Sequence, residues 1–156
     1  MIKQVKGNLF DLYKNPGIIA HGCNAQGAMG SGFALQIKKR FPEAYSKYMY
    51  AYKDGLLHLG SVHFMKYQEE LKQPLIIANC ITQKYYGFDK TKVYIDYDAL
   101  TKALLTVADE AKFYNLPISM PVIGGGLANG DLETLFDIYE SVLFDTDTTI
   151  YTLYNG

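Results

Sequence analysis

The sequence predicts an α/β fold, a sheet covered by helices on both faces, formed by one domain spanning residues 1–156. Three observations carry this. Apolar segments of strand length alternate with segments of helical period along the whole chain. The second strand segment, IIAHGC at 18–23, is apolar enough to be buried on both faces. Two glycine-rich loops each lie between the end of a strand segment and the start of a helix, where ligands gather in such sheets.

The elements follow in order. Residues 2–6 and 18–23 read as strands. A helix is expected from Ser31 to Phe41, with Ala34, Ile37 and Phe41 on one face and Lys38, Lys39 and Arg40 toward solvent. Pro42 suits the first turn of the next helix, where Tyr45, Tyr48, Met49 and Tyr52 form a stripe that Asp54-Gly55 ends. Strands are expected at 60–67 and 75–81. Asp96 caps a long helix carrying Tyr97, Leu100, Leu104, Val107, Ala108 and Ala111 inward, and residues 117–123 run as a strand into a glycine turn. Asp131 stands where a cap for the last helix is expected, with Leu132, Leu135, Phe136, Tyr139, Val142 and Leu143 on its helical period, and residues 148–153 close the sheet.

Composition sets the limits on function. Fifteen basic and 16 acidic residues give a net charge of −1, which does not draw the chain as a whole toward nucleic acid or a membrane surface. Cys23 and Cys80 are the only cysteines and lack disulfide-like spacing, so a reducing compartment, the cytoplasm, is expected. The opening MIKQVKGNLF lacks the long apolar run of a signal peptide, and no stretch reaches the length of a membrane span. The three histidines and two cysteines show no ligand spacing, and the expected set of metals and cofactors is empty.

The first loop runs from His21 through Asn24 to Gly30-Ser31-Gly32; the second is Ile123-Gly124-Gly125-Gly126-Leu127-Ala128-Asn129-Gly130. Glycines let backbone N–H groups wrap an anion, and a following helix N-terminus adds its own unpaired donors. Neither loop contains G-x-x-x-x-G-K-[ST] or the G-x-G-x-x-G dinucleotide fingerprint. His21 has the chemistry for proton transfer near neutral pH, and equally that of a hydrogen-bonded packing residue at a strand end. Asn24 is either a positioner of water or ribose, or a loop cap. Asp131 is a base or an N-cap, and Lys84 is a phosphate partner or a solvated lysine.

KGNLF at 6–10, AHGCNAQGAMGSGFALQIKKRFP at 20–42, NCITQK at 79–84 and MPVIGGGLANGD at 120–131 resemble the macrodomain family in order and spacing. The likeness is strongest to its branch of ADP-ribose 1″-phosphate phosphatases and terminal ADP-ribose hydrolases. It implies a macrodomain-like three-layer α/β/α sandwich with a mixed, roughly six-stranded sheet. It implies a small-molecule ADP-ribose derivative as ligand, a possible ADP-ribosylated macromolecule as partner, and phosphate removal from ADP-ribose 1″-phosphate as the activity. The alternatives are a hydrolase freeing ADP-ribose from protein or nucleic acid, and a module that only binds.

Residue by residue, the resemblance places Asn8 and Leu9 at adenine, and Gly30, Ser31, Gly32 and Phe33 along the diphosphate and distal ribose. Ile123, Gly124, Gly125, Gly126 and Leu127 make the second phosphate loop, and Thr82 and Gln83 the opposite wall. His21 and Asn24 stand at the reacting end. The branch that hydrolyses ADP-ribosyl glutamate has a lysine and an aspartate where this chain has Gln83 and Ala128, which speaks against that mechanism here. The oligomeric state is not legible.

Overall fold

A computed structural model describes residues 2–13, 16–67 and 74–152. Six strands form one sheet: β1 Ile2–Val5, β2 Gly17–Asn24, β3 Val62–Tyr67, β4 Leu75–Gln83, β5 Ile118–Pro121 and β6 Thr148–Tyr151. Their order across the sheet is β1-β6-β5-β2-β4-β3, and only β3 runs antiparallel to its neighbour, so the sheet is mixed as expected. Position 153, the expected end of the last strand, lies outside the described residues.

The helices fall into two layers. α4 (Tyr97–Tyr114) and α5 (Leu132–Leu143) cover one face, burying Leu100, Leu104, Val107, Leu135 and Tyr139 against Ile18, Ala20, Ile76 and Ala78. The other face carries α1 (Leu9–Leu12), α2 (Gly32–Arg40) and α3 (Pro42–Lys53), with Leu9, Phe33 and Ile37 packed on Ile19 and Ile77. Successive strand residues point to opposite faces. β2 and β4 feed both layers in this way, so their sequences are apolar without interruption.

Local chemistry accounts for the ends. Asp96 Oδ1 accepts from the Ala99 N–H at 2.9 Å, and Asp131 accepts from the Thr134 N–H at 3.0 Å. Pro42 occupies the first turn of α3, and Asn115 ends α4 in the left-handed region at φ 55°. The four-residue α1 was not foreseen; Asn8 caps it by accepting from the Phe10 N–H at 2.9 Å. Two side chains expected inward stand out instead: Tyr52, whose ring covers Gly27, and Leu132 at the first turn of α5. Among the described residues, no helix is long and apolar enough to cross a membrane.

Candidate functional site

β2 and β5 are neighbours and parallel, so the loops that leave their C-terminal ends face each other across one cleft of about 250 Å³. Its floor is Gly22, Cys23 and Asn24, and one wall is Ala28, Gly30, Ser31, Gly32 and Ala34. The opposite wall comes from the segment after β4, with Gln83, Tyr86, Gly87 and Phe88, and the second loop contributes Leu127 and Ala128. The volume lies just below the usual range for ligand pockets, about 300–1,000 Å³.

The first loop is braced from inside. Asn24 Nδ2 donates to the Ala28 carbonyl at 2.8 Å, while its Oδ1 accepts from the Gln26 N–H at 3.0 Å. The buried Tyr48 hydroxyl donates to the Asn24 carbonyl at 2.6 Å and accepts from the Ala28 N–H at 3.1 Å. These bonds fix the loop, yet leave the helix it leads into open. Ser31, the N-cap of α2, makes no side-chain capping bond, and the first turn of α2 holds no acidic residue. Gly32 and Ala34 of the first turn, at the positive end of a nine-residue helix, therefore line the cleft.

Gly22 makes the floor possible. A Cβ there would lie 2.8 Å from Thr82 Oγ1 and 3.0 Å from Ile123 Cγ2. The second loop turns at Gly124, whose φ of +89° favours glycine, and closes on itself through Gly130 N–H to the Gly124 carbonyl at 2.7 Å. The Tyr139 hydroxyl holds it from beneath by donating to the Ile123 carbonyl.

Of the residues expected in the site, the structure brings Asn24, Gly30, Ser31, Gly32, Gln83 and Leu127 to the cleft. Others take different places. Leu9 and Phe33 are core residues, with Phe33 stacked on Phe10 at 5.0 Å. Asn8 caps α1. Thr82 is buried behind Gly22, and its Oγ1 is without a hydrogen-bond partner among the described residues. Ile123 and Gly124 are buried at the base of the second loop.

A titrating, ligand-facing His21 is not what the structure contains. His21 is 0 % exposed and shares a face of β2 with Ile19 and Cys23, beneath α2 and α3. Asn79 Nδ2 donates to the Ala44 carbonyl at 3.0 Å, which turns Asn79 Oδ1 toward His21 Nε2 at 2.7 Å. Nε2 is therefore the protonated nitrogen of a neutral ring. Burial lowers the imidazole pKa to about 4, against a smaller upward pull from Asn79. Asn24 likewise spends its amide on the loop.

Cys23, though in the floor, has its thiol pushed well up by burial. Asp131 is the α5 cap, and its carboxyl is held low by the Thr134 hydroxyl and N–H. Lys84 lies past the end of β4, outside the cleft, with Nζ 5.3 Å from the centre of the Tyr85 ring.

The cleft residues missed by the motifs are mainly Tyr86, Gly87 and Phe88. Their segment carries no glycine-loop signature, and its only signal was a cluster of aromatics after a strand. Two side chains tie it to both loops: Gln26 Oε1 accepts from the Tyr86 N–H at 2.9 Å, and Asn129 Nδ2 donates to the Lys92 carbonyl at 2.7 Å.

The model of the Macro domain family matches residues 20–139. The chain belongs to the Macro domain family. Both glycine loops and the wall segment fall inside the matched region. Among relatives, this Macro domain is 30 % identical over 154 residues to an uncharacterized 17.5 kDa protein of Enterobacteria phage T4, covering 92 % of each chain. It is 28 % identical to an ADP-ribose 1″-phosphate phosphatase of Candida albicans, covering 99 % of both. It is 30 % identical to a DNA ADP-ribosyl glycohydrolase of Thermus aquaticus, there covering 85 % of this chain but only 34 % of that protein's length. The solved macrodomain of Mycobacterium tuberculosis DarG superposes with a TM-score of 0.80 at 26 % identity, over 97 % of each chain.

Proposed function

We propose that the chain binds ADP-ribose derivatives in this cleft and converts ADP-ribose 1″-phosphate to ADP-ribose and inorganic phosphate. One observation carries the reading. The N-terminus of α2 is open to the cleft, whereas α1, α4 and α5 each have their first turn closed by their own Asn8, Asp96 or Asp131, and α3, also without a side-chain cap, starts away from the cleft with Pro42 and Glu43 in its first turn. A helix end left without a cap at the mouth of a glycine-floored cleft is suited to phosphate oxygens. The phosphatase named among the full-length relatives supports the choice of substrate.

Water attacks phosphorus, the bond from phosphorus to the oxygen on C1″ breaks, that oxygen takes up a proton given up by the attacking water, and amides of the first loop and α2 meet the charge on the phosphoryl oxygens. His21 and Asn24 serve this step as positioning residues. His21 holds the floor strand in place through Asn79, and Asn24 shapes the loop. Free, buried Cys23 and Cys80 suit a reducing compartment, and the cytoplasm is the proposed location.

The test is phosphate release from ADP-ribose 1″-phosphate by the wild type, Ser31→Asp and His21→Gln. Release by the wild type, flat between about pH 6 and 8 and lost in Ser31→Asp, is expected. An inflection near neutral pH that His21→Gln abolishes would return proton transfer to His21. No release, with ADP-ribose still bound, would leave removal of ADP-ribose from a macromolecule as the reading. That alternative draws on the named glycohydrolase relative and on the opening of the cleft at Tyr86 and Phe88.

A further inference from the structure

The wall that Tyr86, Gly87 and Phe88 give the cleft is a thin one. The cleft of about 250 Å³ lies on one side of it and a groove of about 660 Å³ on the other, with Tyr86 lining both. Residues 85–92 belong to no helix or strand. Among the described residues, it is side chains that tie their backbone to the rest of the fold. We infer that Asn129 is the latch of this wall, a positioning residue whose side chain holds segment 85–92 across the cleft and so sets how fast a bound ligand leaves. The inference rests on the cleft being the ADP-ribose site and names what retains the ligand there.

The backbone at Asn129 is the first observation. Its φ of 59° lies in the left-handed region, in a loop that already uses glycine for such a turn at Gly124. Glycine at 129 would suit the backbone equally well, and asparagine is one of the few other residues that tolerate this region. What asparagine adds is Nδ2, which donates to the Lys92 carbonyl at 2.7 Å and to the Asp89 carbonyl at 3.1 Å. Both bonds lie at the exposed surface, where water would satisfy the same carbonyls. They rescue no buried polar group, so their effect is to fix the position of the segment.

The second observation is where the latch is mounted. Leu127 and Ala128, which line the cleft, immediately precede Asn129, so one run of the second loop both meets the ligand and grips the opposite wall. The other end of the wall is held by Gln26 of the first loop, at the Tyr86 N–H. Between these ends the Asp89 N–H donates to the Tyr94 hydroxyl at 3.2 Å, and that hydroxyl leaves no room for a side chain at Gly87. Release of Asn129 therefore frees the Asp89–Lys92 end first, and the groove behind gives it space to withdraw.

The test compares the full chain as wild type, Asn129→Gly and Asn129→Asp. Glycine keeps the left-handed backbone without the donor, and aspartate keeps the shape but cannot donate. NMR relaxation of the ligand-free proteins reads the wall directly. Order parameters over residues 86–92 are expected at about 0.85 in the wild type and below about 0.6 in both variants, with α5 unchanged. Stopped-flow dissociation of a fluorescent ADP-ribose analogue is expected to quicken about tenfold in both, with association changed far less. The urea midpoint of Asn129→Gly is expected to match that of the wild type.

Variants with wild-type order parameters, or with wild-type dissociation rates, overturn the inference. A lowered urea midpoint in Asn129→Gly with dissociation unchanged would make the side chain structural and overturns it as well. A wild type that binds no ADP-ribose would strike the cleft reading instead, and relaxation over residues 86–92 then decides the latch by itself.

Discussion

The two glycine loops leave neighbouring parallel strands, yet they end on differently finished helices. The loop after β2 is braced within by Asn24 and Tyr48 and delivers α2 with no side-chain cap. The loop after β5 folds onto itself through Gly124 and Gly130 and delivers α5 with Asp131 already seated on its first turn. Both are glycine-rich, and only the first leaves a helix end for something else to complete. Glycine content thus marks where backbone must bend or come close, and of the two helix ends these loops deliver, the one at the cleft is the one without a side-chain cap.

The base of the first loop gives the largest expected effect. His21 is held neutral, with its pKa lowered from 6.5 to about 4 by burial, whereas the unfolded imidazole titrates normally. A lowered folded pKa means that the stabilisation is complete above about pH 6.5 and drains away as the pH falls toward about 4. The acid limb is therefore worth about 3 kcal/mol for this residue. Urea unfolding across that window is expected to show the loss, and His21→Gln is expected to flatten it. An unchanged limb in His21→Gln would place the acid sensitivity elsewhere.

Next comes conversion of the open helix into a closed one. Ser31→Asp supplies α2 with the kind of cap that α5 has. It is expected to raise the melting temperature while weakening ADP-ribose binding about a hundredfold, since a carboxylate then competes for the same amides. Equal affinity in the variant would dissolve the contrast between the loops.

Smaller effects separate the braces. Tyr48→Phe removes the donor to the Asn24 carbonyl and leaves the Ala28 N–H only its 3.3 Å bond to Asn24 Oδ1, and is expected to cost about 1–2 kcal/mol, together with some ADP-ribose affinity. Tyr139→Phe removes one bond, to the Ile123 carbonyl, and is expected to cost about 1 kcal/mol by urea unfolding. Asp131→Ala is the mildest. It uncaps α5, lowers the melting temperature slightly, and changes ADP-ribose affinity by less than about twofold because α5 is finished apart from the cleft.

Much of this was legible because the signals are local. The stripes of α4 and α5, Pro42 at the start of α3, and the Asp96 and Asp131 caps follow from spacing alone. α1 escaped because four residues are too few to show a period. Strand alternation places Ile19, His21 and Cys23 on one face, but which face meets a ligand depends on how the flanking layers close over it. That is a tertiary fact, and it put His21 against Asn79 rather than in the cleft. Leu9, matched by the resemblance to a ligand contact, has its side chain buried among Phe10, Phe33 and Ile37, a placement the sequence pattern does not show. Tyr86, Gly87 and Phe88 reach the cleft in a segment that Gln26 and Asn129, distant in sequence, help to hold across it.

The most direct test of the central claim is an amide-resolved NMR titration of the wild type with ADP-ribose. The account predicts that the largest shifts fall on the amides of Gly30, Ser31, Gly32 and Ala34, with Leu127 and Ala128 following, and that the first turn of α5 stays still. Largest shifts on Leu132, Glu133 and Thr134, or a titration that leaves the start of α2 unmoved, would contradict it.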